Sequence, residues 1–394
     1  MKTPYFILNQ NLLQENIDSF KNALNIYWPN SQIGYSIKTN SLPWVLKYMK
    51  NQMVFAEAVS REEYELAKLC GYSSNEIIYN GPIKNIHDIE VAFKEGAIIN
   101  IDSQKELKYI QEFKPQHNGN LGVRINVNPY VFDPNDIGYI DDGFRFGFSN
   151  ENGELKKVID LLKTIYNNTP FGLHLHCNSI TRSKNVYKSI ANYAANIIKQ
   201  YDLRPSFIDI GGGFFGGVPG KTTPEEYIST IAEQLKDVVD FSETKLIIEP
   251  GSAFIGSTVD LYTSVIDAKS TNFANTITTD GSRIHIDPLW KKKSYLYSIE
   301  TTSHMPIEQK QIICGYTCMD HDRIMILENK PLLQVGDKII YHRVGAYTVT
   351  FGGPFIRYFP DVYVNNNGSL KLIRKRMSVS DYYNIEYLEE INDE

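Results

Sequence analysis

Up to about residue 255 the chain keeps one rhythm, and that rhythm constrains the fold more than any other feature of the sequence. Short runs of apolar and β-branched residues, at 33–38, 53–58, 77–80, 97–101, 121–127, 171–177, 207–210 and 245–249, alternate with amphipathic segments of helical period. Strand, helix, strand at this spacing builds parallel βαβ units, because a parallel neighbour is reached only through a long crossover. Eight such units predict a closed β/α barrel, with a doubly wound open sheet as the competitor. The helix punctuation agrees. Ser60 with Glu63, and Ser103 with Glu106, have the spacing of a capping box, and Gly71 stands where the first of these helices must stop.

After Gly256 the rhythm changes. Strand-like runs at 262–266, 311–313 and 338–341 follow with few helical patterns between them, which predicts a second, β-rich domain. The expected division is a strand in 1–10 that joins the β-domain, a barrel over 11–255, and the β-domain itself over 256–394. Two domains suit a chain of 394 residues, since single cores stop growing at roughly 250–300. Residues 128–150, rich in Asp, Gly and aromatic side chains, read as a long excursion after the fifth strand. The acidic residues 389–394 read as a frayed end.

Charge excludes some partners. Forty basic residues against 46 acidic give a net −6, so no basic field invites nucleic acid or anionic lipid. No stretch approaches the roughly 18 apolar residues of a membrane helix, and the apolar run at 5–8 is too short for a signal peptide. Cys70, Cys177, Cys314 and Cys318 are too few and too irregular for a disulfide framework, so a reducing cytoplasm is expected.

In a β/α barrel the chemistry sits at the C-terminal ends of the strands. The first run ends on Lys38, followed by Thr39 and Asn40. Such a lysine either snorkels to solvent or serves as a desolvated amine that attacks an aldehyde. In the sixth, period 2 puts His174 and His176 on one face, with His176 nearer the end. With Cys177 they offer nitrogen and sulfur for zinc, but no second cluster has matching spacing, and no metal is expected. The seventh runs into Gly211, Gly212 and Gly213, where backbone must approach something closely, as around a phosphate. The eighth closes on Glu249, a carboxylate too costly to bury unpaired. Together these describe a site for a ligand that carries a phosphate, a carbonyl and a ring.

The ordered motifs resemble the barrel-fold pyridoxal 5′-phosphate (PLP) decarboxylases, the family of diaminopimelate, ornithine and carboxynorspermidine decarboxylases with its alanine racemase-like barrel. Tyr35-Ser36-Ile37-Lys38-Thr39-Asn40 resembles their Tyr-x-x-Lys-Ala-Asn segment, and Asn80-Gly81-Pro82-Ile83-Lys84 a Gly-Pro-x-Lys loop. Arg145-Phe146-Gly147, His176-Cys177-Asn178-Ser179 and the triple glycine find counterparts in order. So do Gly315-Tyr316-Thr317-Cys318-Met319-Asp320-His321-Asp322 and Gly345-Ala346-Tyr347. The resemblance implies that Lys38 carries PLP as an imine and that His176 stacks on its ring. Ser179, Gly211, Gly212, Gly213 and Tyr347 would hold its phosphate, and Glu249 would pair with the ring nitrogen. Cys318, contributed by the partner in a homodimer with shared sites, would reprotonate the product.

Three departures matter, two of them at positions that in the family meet the cofactor phosphate or the substrate. Glu249-Pro250-Gly251 is followed by Ser252 instead of arginine, Met319 replaces an acidic residue after the cysteine, and Asn178 replaces glycine. Ser252, Met319 and Asp322 are therefore the expected substrate contacts, with Asp320 and Asp322 turned away from the face of Met319 if the segment is extended. The expected function is decarboxylation of a modified or conjugated amino acid in a specialised biosynthetic pathway. Diaminopimelate decarboxylation is the alternative within the family. Amino-acid racemisation is opposed by Glu249, where racemases resembling this barrel carry arginine. A non-catalytic PLP-binding role is opposed by the β-domain and the cysteine motif.

Overall fold

The computed structural model describes residues 1–117, 119–301 and 305–386; the acidic residues 389–394 lie outside them. The chain forms two compact units, one of Glu15–Phe254 and one of Met1–Gln14 with Ile255–Glu394. Strand β1 (Tyr5–Asn9) belongs to the second. In the first, β2 (Ser31–Ser36), β3 (Phe55–Ala58), β4 (Ile77–Tyr79), β5 (Ile98–Ile101) and β6 (Leu121–Asn126) pair in parallel in chain order. A two-residue strand, β7 (Phe148–Ser149), pairs with β6 outside the ring. The ring continues through β8 (Gly172–His174), β9 (Phe207–Asp209) and β10 (Lys245–Ile248), which returns to β2. Eight parallel strands close into a barrel, and the open sheet is ruled out.

Why the barrel closes is visible in its lower layer. Gly122 and Gly172 stand opposite each other on β6 and β8. A Cβ on Gly172 would lie 2.2 Å from the Phe207 ring, and one on Gly122 2.7 Å from it. The two missing side chains make room for that ring, which packs with Ile78, Ile98 and Ile247. Alternating large and small residues lets one aromatic fill the interior of so narrow a barrel.

Several strands are shorter than their apolar runs. The sixth run continues to Cys177, but the ladder ends at His174, and His176 lies in irregular backbone beyond it. Lys38 likewise sits in a single 3₁₀ turn, Ile37–Thr39, rather than in the strand. A ladder needs partners on both sides, and β9 stops at Asp209. The capping residues form as expected, with one shift. Ser60 accepts from the Glu63 N–H, but the Glu63 carboxylate reaches back to the Val59 N–H at 2.9 Å, one residue further than a capping box requires. The Ser103 and Glu106 box closes fully, and Glu106 also meets Lys84 at 3.1 Å, both side chains wholly buried. Residues 128–150 are mostly irregular, broken by one 3₁₀ turn and β7.

The second unit is a nine-stranded sheet. Its later strands are β11 (Val259–Ser270), β12 (Asn275–Thr279), β13 (Leu296–Glu300), β14 (Ile307–Cys314), β15 (Arg323–Pro331), β16 (Lys338–His342), β17 (Asp361–Asn366) and β18 (Ser369–Arg374). The order is β15-β14-β12-β11-β1-β17-β18, with β16 on β11 and β13 on β16. Strand β1 thus lies between β11, antiparallel, and β17, parallel. Leu261, Ile339, Tyr341, Val362 and Val364 form the buried face. Among the described residues no helix is long and apolar enough to cross a membrane.

Candidate active site

At the C-terminal ends of the barrel strands a continuous chain of polar side chains replaces the apolar core. The Lys38 ammonium lies 2.6 Å from the Glu57 carboxylate and 2.7 Å from the Ser36 hydroxyl. Asn80, just past β4, donates to both Glu57 and Glu249. Asn100 on β5 donates to the Asn80 carbonyl at 2.9 Å and to Asp209 at 3.3 Å. His174, Asp209 and Glu249 bring one polar atom each within 4.8 Å of one another. Glu57, Asp209 and Glu249 are all buried, with Lys38 acting on Glu57 and Glu249 and Arg124 on Asp209, three carboxyls against two cations.

That imbalance sets the protonation. Burial pushes the Glu249 carboxyl well above the usual carboxylate range, and the charges of Asp209 and Glu57 push it further. Asp209 is raised by the same burial, but it accepts a hydrogen bond from Glu249, so Glu249 keeps the proton between them. Burial works against the Lys38 ammonium too, yet attraction to Glu57 and then Glu249 outweighs it and holds the amine charged. Glu57 is correspondingly held below its ordinary range by Lys38 and its hydrogen bonds, against the burial that would raise it. These are the signatures of a site in which one member of a carboxyl pair stays neutral.

His176 is neutral as well. Burial, with the nearby charges of Arg124 and Lys38, pushes its imidazole down to about 3. Among the described residues its Nδ1 has no hydrogen-bond partner. The glycine loop lies directly against it: a Cβ on Gly211 would sit 2.6 Å from the His176 ring, and one on Gly212 2.3 Å from the Glu249 carbonyl oxygen. Gly211 and Gly213 have φ of +69° and +91°, a backbone that side chains resist. Ser179 follows His176 on the same loop, half-buried. Beside them opens a cavity of about 280 Å³, lined among others by His176, Arg124 and Arg145.

The remaining expected residues belong to the β unit. Cys318 is exposed in the turn between β14 and β15. Met319 lines a cavity of about 410 Å³ with Ile284, Trp290, His321 and Phe355. Tyr347 has φ of +68° and precedes the short helix Thr348–Phe351. Asp322 does not face outward as an extended segment would allow. The segment is a turn, and the buried Asp322 carboxylate accepts from Ser282, Thr317 and the Arg283 N–H at 2.7–3.0 Å. These bonds brace that turn.

Ser252 is in the barrel unit, and its hydroxyl accepts from the Arg182 guanidinium at 3.2 Å. Sequence reasoning missed Arg182, along with Glu57, Asn80, Asn100 and Asp209. A signal existed for Glu57, Asn80 and Asn100, since each is a polar residue at the C-terminal end of an apolar run. Nothing in the sequence points to Arg182.

The residues present fit a phosphorylated pyridine aldehyde. An amine stands at the barrel mouth, a flat neutral imidazole has an unpartnered ring nitrogen, glycines expose backbone, and a buried carboxyl carries a proton to give. Comparison with known proteins agrees. The family model described as pyridoxal-dependent decarboxylase, pyridoxal binding domain, matches residues 11–256. The chain is 27% identical to the probable chloroplastic diaminopimelate decarboxylase of Oryza sativa subsp. japonica, over 97% of this chain and 79% of that protein. It is 24% identical to the L-glutamyl-[BtrI acyl-carrier protein] decarboxylase of Niallia circulans, over 96% and 92%. Its fold is similar to the crystal structure of diaminopimelate decarboxylase from M. jannaschii, with a TM-score of 0.84, 21% identity, and coverage of 99% and 93%.

Proposed function

The chain belongs to the pyridoxal-dependent decarboxylase family, and from that premise we propose that it removes CO₂ from an amino acid whose far end is neutral or acylated, in the cytoplasm, with Lys38, His176, Glu249 and Cys318 as its working residues. The enzyme is a PLP-dependent carboxy-lyase. When bound, the cofactor supplies an electron sink for the pair that CO₂ leaves behind.

The residues of the chain do the rest. Lys38 must lose a proton before its nitrogen can attack an aldehyde, and the Glu57 carboxylate at 2.6 Å, which favours the charged ammonium, sets how readily it does so. His176, uncharged, offers its face to a pyridine ring. The glycine loop, Ser179 and Tyr347 are the groups for the phosphate. Glu249 carries the observation on which the reading rests. It is buried, accepts from Asn80 and is raised by burial and by the charges of Asp209 and Glu57, so it would offer bound PLP a proton for the ring nitrogen and, once that is given, a counter-charge. A protonated ring favours decarboxylation over racemisation. Cys318, exposed on the β unit, is the donor of a proton from Sγ to the carbon that CO₂ vacates, and we assign it to the partner's site in a homodimer.

For the substrate, the support is the surroundings of Met319. On one side Ile284, Trp290, His321 and Phe355 share its cavity without a carboxylate; on the other a cavity of about 610 Å³ holds Cys318, Asp320 and Asp322, where the Asp322 carboxylate is already taken up by Ser282, Thr317 and the Arg283 N–H. A free distal ammonium would lose hydration in the first without recovering it in an ion pair, whereas an amide or acyl group would not. The relative from Niallia circulans acts on a carrier-bound glutamyl group, a conjugated amino acid of this kind. Steady-state kinetics with meso-diaminopimelate, ornithine and lysine against amide and N-acylated analogues test the reading. A kcat/KM of about 10⁴ M⁻¹s⁻¹ or more for any of the three free diamino acids would sink it.

A further inference from the structure

Ser252 stands where the resembling family carries arginine, and its hydroxyl brings no charge. The structure nevertheless brings a guanidinium to the Ser252 hydroxyl, at 3.2 Å, supplied by Arg182 from the loop after β8, 70 residues away in sequence. We propose that Arg182 takes over the vacated cation position and holds an anionic group of the bound ligands, either the cofactor phosphate or the substrate α-carboxylate. This rests on the PLP-dependent reading of the site above.

Three observations carry it. First, the location is the seam between the two backbone segments that frame the cofactor region. A Cβ on Gly212 would lie 2.3 Å from the Glu249 carbonyl oxygen and one on Gly216 2.1 Å from that of Ala253, so residues 211–216 run hard against 249–253. Arg182 touches both, with its guanidinium 5.5 Å from the Phe215 ring centre and Nη1 on Ser252. Second, its placement is held in spite of strain. Arg182 has φ of +52°, a conformation costing about 1 kcal/mol for a residue with a side chain. The Tyr227 hydroxyl fixes it by donating to the Arg182 carbonyl while accepting from the Phe215 N–H. Third, among the described residues this half-exposed guanidinium has its hydrogen bond with the neutral Ser252 hydroxyl and forms no ion pair. Lys221 approaches the same Phe215 ring at 5.4 Å and adds to the positive charge. A planar fork that, among the described residues, binds neither carboxylate nor carbonyl is built for oxygens that come from outside.

The test uses the full-length protein and three variants, Arg182→Met, Arg182→Lys and the double Arg182→Met with Ser252→Arg. Dissociation constants for PLP and for pyridoxal, which lacks the phosphate, come from fluorescence titration of the cofactor-free protein. Spectral titration of the PLP-loaded protein with L-glutamine and with 4-aminobutanamide, the same molecule without its α-carboxylate, reports on the substrate side. If the anion is the phosphate, Arg182→Met weakens PLP roughly ten- to a hundredfold, the value of one charge-assisted hydrogen bond, and leaves pyridoxal unchanged. If it is the carboxylate, PLP binding holds and the preference for L-glutamine over 4-aminobutanamide falls by the same factor. In either case Ser252→Arg restores the loss, and Arg182→Lys, which keeps charge and fold but not the fork, loses less. An equal loss for PLP and pyridoxal, or no change in either preference, would overturn the proposal. Wild-type protein that binds no PLP would instead overturn the PLP-dependent reading itself.

Discussion

Exchanging Glu57 for glutamine keeps the size of the side chain but removes the negative charge facing Lys38, and it leaves one acceptor oxygen where Ser36 and Asn80 each donate to a separate one. The Lys38 nitrogen is 2.6 Å from the Glu57 oxygen. At an effective dielectric constant of about 20, unit charges at that distance attract by roughly 6 kcal/mol. The Lys38 side chain is 44% exposed, so about half of this survives solvent screening, roughly 3 kcal/mol. At 1.36 kcal/mol per unit that is about two pKa units. Burial already works against the ammonium, and in the wild type it is outweighed by Glu57 and Glu249. With Glu57→Gln, burial prevails and the amine falls below its ordinary value. Only the neutral amine captures an aldehyde, so near pH 7 capture of PLP by the cofactor-free variant should be about a hundredfold faster. Stopped-flow absorbance between pH 6 and 10 measures this directly, and the rise of the rate with pH should shift down by about two units. An unshifted profile in a normally folded variant would refute the electrostatic account of Lys38. Slower capture at every pH would mean that Glu57 matters as the proton acceptor and not as the holder of the charge.

Three further outcomes follow from the same structure. Glu106→Gln leaves the wholly buried Lys84 ammonium without its counter-charge and should cost about 3–5 kcal/mol, read from urea unfolding; Lys84→Met with Glu106→Leu should recover most of it, and additive costs would contradict the pairing. Burial, with Arg374, Arg357 and Arg376, pushes the His285 imidazole down to about 4, while the unfolded chain binds that proton near 6.5. The stability it contributes is therefore present above about 6.5 and lost as the pH falls toward 4, by roughly 3 kcal/mol. His285→Leu should flatten urea midpoints over that window by this share, leaving the parallel contributions of His117, His174 and His176. Finally, Lys38→Ala and Cys318→Ala should each be nearly inactive alone and regain partial activity when mixed and allowed to exchange subunits; no recovery after verified exchange would count against a site shared across a dimer.

Periodic and local signals were sufficient for much of this protein. The barrel was legible because strand and helix periods, capping residues such as Ser103 and Glu106, and glycines at helix ends act within a few residues of themselves. Lys38, His176, Glu249 and the triple glycine were legible because a barrel collects chemistry at strand ends, so position along a strand stands in for position in space. That proxy fails for partnership. Asn80 and Glu249 are separated by 169 residues, and Lys38 and Glu57 by 19; they meet because β10 pairs with β2 and the ring closes. Only closure brought three buried carboxyls together, and that crowding is what raises Glu249 above the usual carboxylate range. Asp322 turned inward because a tight turn needed an acceptor for its own donors, which a period-2 reading cannot see. Arg182 filled the place beside Ser252 because an arginine side chain spans far more than one residue of chain, so a guanidinium can be contributed to a site by a loop that the site's own sequence never mentions.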